Sequence, residues 1–129
     1  MQHHQLFLTV TSTAQLELDP MQQAICIQAL LGLRGQAQGN PNEGCAWTGD
    51  LNGVWQLHRH PQFSVLAQQV VGFAWSYLGE LGFDQDHVAL HLQRCWPVIS
   101  DWDQAIGRHH HPNAHLSAVL YLTGIGTGT

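Results

Sequence analysis

Basic residues are scarce in this chain of 129 residues, which has four arginines, no lysine and nine acidic residues. The formal net charge is -5, so the chain lacks the cationic surface that neutralises the phosphates of a nucleic acid or of an anionic membrane. We therefore expect neither partner. Charged residues make up only 10% of the sequence, where about 25% is usual, so uncharged polar side chains must cover much of the surface.

Long apolar runs are also missing, because no stretch approaches the roughly 18 apolar residues of a transmembrane helix. Residues 1–10 lack the cationic start and the cleavage site of a secretory signal. Cys26, Cys45 and Cys95 are odd in number and form no Cys-x-x-Cys pair, which favours reduced thiols over a disulfide framework or a zinc site. We expect a cytoplasmic protein with one domain over residues 1–129.

Two helices are predicted within residues 19–82. The first begins at Asp19 and Pro20, because Asp caps free backbone amides and Pro is tolerated at the first helical position. Its apolar pattern fades between residues 32 and 35. An irregular connection rich in Gly, Asn and Pro follows over residues 36–54.

The second helix begins after His60 and ends at Gly82. Its apolar residues recur at steps of three and four, as on one face of a helix: Phe63, Leu66, Ala67, Val70, Ala74, Tyr77, Leu78 and Leu81. We expect Phe63, Val70 and Tyr77 to share one core with Trp96, which comes from a later segment.

The later chain changes to period two, which is typical of β-strands. Apolar residues alternate in residues 88–96 and again in residues 116–122, and we expect a sheet over residues 87–123. A short β-prone run at residues 6–10 predicts a further edge strand. Helices first and sheet later indicate an α+β fold.

The densest group of possible metal ligands is His109-His110-His111-Pro112. On an extended backbone residues two apart point to the same side, so His109 and His111 could offer two imidazoles to one cation. Imidazole binds Fe, Zn, Cu and Ni alike, so the spacing does not select the metal. A solvated histidine-rich loop is the competing interpretation.

The pattern His-x-His-Pro also occurs at residues 58–61, directly before the second helix. There we expect His60 to cap the helix and not to bind a metal. His115 is either a third imidazole or a strand residue with a nearby hydrogen-bond partner, and the second interpretation is favoured. His91 is interpreted as a half-buried residue with a polar partner.

The stretch from Arg94 to Leu122 resembles a bacterial family of 2-oxoglutarate- and Fe(II)-dependent oxygenases. The family pattern is a Trp-bearing strand, a glycine loop, His-x-His-Pro and Ser-Gly-Val-Tyr-Tyr-Leu. This sequence has Cys95-Trp96-Pro97-Val98, Gly107, His109-His110-His111-Pro112 and Ser117-Ala118-Val119-Leu120-Tyr121-Leu122. The earlier helices and the Gly- and Trp-bearing loop at residues 44–50 are similar as well.

The resemblance implies N-terminal helices packed on a partial double-stranded β-helix, or jelly roll. It implies a dioxygenase that uses Fe(II) and 2-oxoglutarate to hydroxylate a small-molecule or peptide substrate. His109 and His111 would be metal ligands, and Ser117 and Tyr121 would contact the cosubstrate.

Four features depart from the family, and two of them are local: Ala118 stands in place of Gly and Leu120 in place of Tyr. His111 stands where most relatives place Asp or Glu, so either the site uses neutral ligands only or His111 supports it without binding the metal. The family pattern continues with a distal His and a basic residue for 2-oxoglutarate, and we expect the 129 residues to be a truncated form that is inactive alone. The alternative function is a non-catalytic jelly roll or histidine-rich metal-binding module.

Overall fold

The computed structural model describes residues 10–37 and 42–123. In chain order it contains helix α1 (Pro20–Gly35), strand β1 (Trp47–Thr48), two turns of 3-10 helix (Asp50–Asn52 and Leu57–Arg59), helix α2 (Pro61–Glu80) and strand β2 (Val98–Ile99). The predicted edge strand at residues 6–10 lies outside the described residues except for Val10. Neither described helix is both long enough and apolar enough to cross a membrane.

Helix α1 begins where the sequence predicts. The Asp19 carboxylate Oδ1 accepts hydrogen bonds from the backbone amides of Met21 and Gln22, both at 2.9 Å. These bonds satisfy two of the four amides that a helix start leaves without partners. The helix ends at Gly35, within the predicted range, so both ends of this prediction are confirmed.

Helix α2 begins where the sequence predicts and ends at Glu80, two residues before the predicted Gly82. His60 Nδ1 accepts a hydrogen bond of 3.4 Å from the amide of Gln62, so the prediction of a capping histidine is confirmed. After Leu81 the chain turns at Gly82, whose φ of +87° is favourable for glycine. The amide of Phe83 donates to the Leu78 carbonyl and that of Gly82 to the Gly79 carbonyl, which is the Schellman ending of a helix.

The core lies between α1 and the first half of α2. Its buried members are Cys26, Leu57, Phe63 and Leu66, and the partly buried Cys95 and Leu122 pack against it. Burying four apolar side chains in one cluster stabilises the fold chiefly by removing apolar surface from water.

The predicted core is wrong in its later members. Of the four residues expected together, only Phe63 is in this cluster. Tyr77 is half-buried and donates its hydroxyl to the carbonyl of Val10 at 2.7 Å. The side chain that points into the core is that of Cys95 and not, as expected, that of Trp96. Neighbouring residues on an extended chain point to opposite sides, and backbone hydrogen bonds with residues 55–57 turn residue 95 inward.

Regular strands are short. β1 and β2 pair antiparallel, with Trp47 opposite Ile99 and Thr48 opposite Val98. Isolated bridges join Cys45 to Ala105 and Gln56 to Cys95. Apart from the bridge at Cys95, the described residues 88–96 form no strand, and neither do residues 116–122. Alternation shows where side chains would point, but a strand also requires a backbone partner. The double-stranded β-helix therefore stays a prediction.

Candidate metal centre

The histidines follow a loop that is attached to the rest of the fold at three places. The Arg34 guanidinium of α1 forms an ion pair with Asp101 at 3.0 Å. The amide of Ala105 donates to the Gly44 carbonyl at 3.0 Å, and the amide of Ala46 donates to the Ala105 carbonyl at 3.1 Å. The loop base is thus held against the segment that precedes β1.

His109 and His111, which we call the histidine pair, lie side by side. Their ring centroids are 4.9 Å apart and the rings meet edge to face at 87°. A turn follows at once, because Asn113 has a φ of +68° and the amide of Ala114 donates to the His111 carbonyl at 3.3 Å. The structure therefore brings together the two imidazoles that the spacing predicts on one side of the chain.

The ring of His109 is held by its own backbone. Nδ1 lies 2.9 Å from the carbonyl oxygen of Gly107. A carbonyl oxygen can only accept a hydrogen bond, so Nδ1 carries the proton and, in the neutral ring, Nε2 carries the lone pair. Metal-binding histidines are commonly fixed this way, with the nitrogen that does not bind the metal donating to a carbonyl or carboxylate. His109 is therefore preset to bind a cation through Nε2.

The ring of His111 has an aromatic neighbour. The centroid of the Trp96 indole lies 5.5 Å from that of His111, and the planes are tilted by 54°. The period-two pattern places Trp96 in the core and therefore does not predict this contact. The carbonyl of Gly107 was missed as well, and no pattern in the sequence distinguishes it.

The other predicted site residues lie on the surface. Tyr121 is 76% exposed, and Ser117 and His115 are exposed too. His91, expected to be half-buried, is also exposed. The structure shows no contact of Ser117 or Tyr121 with the histidine pair among the described residues. No described contact therefore supports Ser117 and Tyr121 as residues that bind the cosubstrate, and this role stays a prediction.

Two thiols are poorly suited to nucleophilic chemistry. Burial raises the pKa of the Cys26 thiol, and burial also raises that of Cys95, where a hydrogen bond from the His58 backbone amide acts in the opposite direction. A raised pKa keeps the thiol protonated near neutral pH, and the thiolate is the reactive form. The histidine pair is the better candidate for chemistry.

The histidine pair fits a transition metal as two of its ligands. The evidence for fit is the preset Nε2 of His109 and the closeness of the second imidazole, both typical of sites for Fe, Zn, Cu or Ni. Within residues 10–37 and 42–123 there is no group of three or more His, Cys, Asp or Glu side chains placed to hold a metal ion. Further ligands therefore have to come from other residues, from a cosubstrate or from water.

Comparisons of the chain with protein-family models, with curated proteins and with solved structures find no match.

Proposed function

We propose that the histidine pair provides two ligands of a non-haem Fe(II) site in a 2-oxoglutarate-dependent dioxygenase. The observation that carries the proposal is the 4.9 Å separation of the two imidazole ring centroids. It is combined with the hydrogen bond of His109 Nδ1, which leaves Nε2 of that ring free. The order of Trp96, Gly107, the histidine pair and Ser117 along the chain supports the oxygenase class, because it follows the family pattern described above.

In this proposal each residue has a defined task. His109 and His111 hold the cation, and the Gly107 carbonyl keeps a proton on Nδ1 of His109. Ser117 and Tyr121 hydrogen-bond 2-oxoglutarate. When bound, iron and 2-oxoglutarate supply the oxidising power for hydroxylation of a small-molecule or peptide substrate.

The neutral His111 changes the charge of the proposed site. A carboxylate at this position would place one negative charge next to the cation, whereas an imidazole places none. The site is therefore more cationic by one charge than a site with one carboxylate. For this reason we expect the site to bind an anionic cosubstrate such as 2-oxoglutarate more tightly than a site with one carboxylate would.

Metal binding tests the first part of the proposal. Co(II) or anaerobic Fe(II) is titrated into the wild type and into the double variant His109→Ala, His111→Ala. The second His-x-His-Pro motif supplies a matched control, His58→Gln with His60→Asn, in which Asn keeps the helix cap. We expect the first double variant to bind the metal at least about 10-fold more weakly and the control to match the wild type. Equal affinity in all three proteins would overturn the metal site.

Addition of 2-oxoglutarate to the Fe(II)-loaded protein without oxygen tests the second part. A 2-oxo acid chelated to Fe(II) gives a visible charge-transfer absorption, which we expect in the wild type and not in His109→Ala. Ser117→Ala and Tyr121→Phe should weaken it. Matched Thr123→Ala should not, because its side chain has no assigned task. Tight metal binding without this absorption would contradict the oxygenase assignment.

A second function, a non-catalytic metal-binding module, is favoured by two observations. No third ligand of the His, Cys, Asp or Glu type is grouped with the histidine pair among the described residues, and His109 lies on the surface. Such a module would bind Cu(II), Ni(II) or Zn(II) through the histidine pair and would give no response to 2-oxoglutarate. Both functions predict metal binding by the histidine pair, so it is the addition of 2-oxoglutarate described above that separates them.

A further inference from the structure

We propose that Trp96 is a positioning residue for His111, holding its imidazole in the orientation that places it beside His109. The inference rests on the proposed metal site and names a residue that the sequence pattern assigns to the protein core. The geometry behind it is the 5.5 Å contact between indole and imidazole, tilted by 54°.

The backbone on both sides of Trp96 is held firmly. The amide of Cys95 donates to the Trp55 carbonyl at 2.8 Å, and the Cys95 carbonyl accepts from the Leu57 amide at 2.9 Å. On the other side the Pro97 carbonyl accepts a hydrogen bond of 2.8 Å from the amide of Gly49, and Pro97 is buried. The half-buried indole of Trp96 is therefore attached to a stretch of backbone that hydrogen bonds hold in place on both sides.

His111 needs such support more than His109 does. The His109 ring is oriented by its hydrogen bond to the Gly107 carbonyl. For the His111 ring the described contacts are aromatic only, with Trp96 on the one hand and His109 on the other. The orientation of His111 therefore depends on ring contacts, and Trp96 is the one of the two neighbours whose backbone is hydrogen-bonded on both sides.

The chemistry of the contact favours metal binding. An indole has a negative π face that attracts the positive edge of a neighbouring ring or a cationic group. An imidazole that binds a divalent cation becomes more positive, so a contact with the π face of the indole would be stronger in the metal-bound state. Trp96 thus favours the metal-bound state through His111 and does not touch the metal itself.

The test compares three substitutions of Trp96 with a matched control. Trp96→Ala removes the ring, Trp96→Leu keeps apolar bulk without a π face, and Trp96→Phe keeps an aromatic ring. Trp102→Leu is the control, because Trp102 is 91% exposed and lies only six residues away. Circular dichroism and urea unfolding establish which variants fold. The probe is Co(II), with affinity measured by titration and the ligands observed by proton NMR of paramagnetically shifted imidazole signals.

We expect Trp96→Ala and Trp96→Leu to bind Co(II) about 2- to 12-fold more weakly, which corresponds to the strength of one aromatic contact. Trp96→Phe should recover most of the affinity, and Trp102→Leu should match the wild type. In Trp96→Leu the shifted signal of His111 should weaken or disappear while that of His109 remains. A general loss of structure would instead remove both signals.

Wild-type affinity and both imidazole signals in Trp96→Leu would overturn the inference. If Trp96→Ala does not fold, Trp96→Leu against Trp96→Phe still decides, since equal affinities in these two would show that the π face is not needed. Failure of the underlying metal site has a different signature. In that case the wild type binds Co(II) no better than the double variant His109→Ala, His111→Ala.

Discussion

The helical half of the molecule (residues 20–80) and the histidine half (residues 84–123) are built differently. Within residues 10–37 and 42–123, the seven buried hydrophobic residues all lie in the helical half: Cys26, Ala46, Trp47, Leu57, Phe63, Leu66 and Leu78. The described regular structure of the histidine half is one strand of two residues, with no helix. The helical half therefore carries the stability, and the histidine half carries the candidate site.

The candidate site depends on the contacts that attach the histidine half to the helical half. The histidine half is attached to the helical half by the pairing of β2 with β1, by the backbone bonds of Cys95 and by side-chain contacts. These contacts include the Arg34–Asp101 ion pair and a hydrogen bond from the Gln23 side chain to the Leu122 carbonyl. Binding residues are often placed on irregular segments that a rigid scaffold positions. Four predictions test this difference between the two halves, in order of decreasing expected effect.

The largest expected effect is in amide hydrogen exchange. Among residues 106–123 the amide of Ala114 is the only one with a described backbone acceptor, whereas α2 is a helix of 20 residues, whose amides beyond the first turn donate within the helix. Exchange in the middle of α2 should be slower by a factor on the order of a thousand or more. Exchange can be measured by NMR or mass spectrometry. Equal protection in residues 116–122 would show that this segment has strand partners, as the period-two pattern predicts.

The second prediction compares two phenylalanines of α2. Phe63 is 4% exposed and lies in the core, whereas Phe73 is 40% exposed. Phe63→Ala should lower the free energy of unfolding by about 3 to 5 kcal/mol, because it leaves a cavity. Phe73→Ala should cost less than about 1 kcal/mol. Urea unfolding followed by circular dichroism measures both, and similar losses would mean that the core is not where the structure places it.

The third prediction concerns pH. Burial lowers the pKa of His58 and the positive charge of Arg59 lowers it further, and Nδ1 of His58 is buried without a described hydrogen-bond partner. The unfolded chain, with a pKa near 6.5, then binds a proton more readily than the folded one. The free energy of unfolding should therefore be highest above about pH 6.5 and decrease as the pH falls toward the lowered pKa.

His58→Gln tests the pH prediction, with His91→Gln as the control because His91 is exposed. Urea unfolding between about pH 5 and pH 8 should show a flatter pH dependence for His58→Gln and an unchanged one for the control. A pH dependence that is the same in all three proteins would argue against burial of the His58 ring.

The smallest effect is expected for the ion pair between the two halves. Arg34 and Asp101 are 32% and 63% exposed, and a surface pair of this kind contributes at most about 1 kcal/mol. A double-mutant cycle with Arg34→Gln and Asp101→Asn should give a coupling energy in that range, which decreases in high salt. A much larger coupling would show that the ion pair is the main connection between the halves.

Local features were predictable from the sequence. Asp19-Pro20, His60-Pro61 and Gly82 predicted the ends of the two helices, because caps act through hydrogen bonds within a few residues. The side-by-side histidines were predictable for the same reason, since residues two apart on an extended chain share a side. The acceptor for His109, the Gly107 carbonyl, is equally near in sequence but depends on the turn of the backbone between them.

The two helices, their caps and the closeness of His109 to His111 follow from the amino-acid sequence, because each depends on interactions within one short segment. The inward position of Cys95, the contact of Trp96 with His111 and the pairing of β1 with β2 come from the folded chain. These features depend on which distant backbone supplies a hydrogen-bond partner. Periodicity cannot show that, because it records the direction of side chains and not the position of the neighbouring chain.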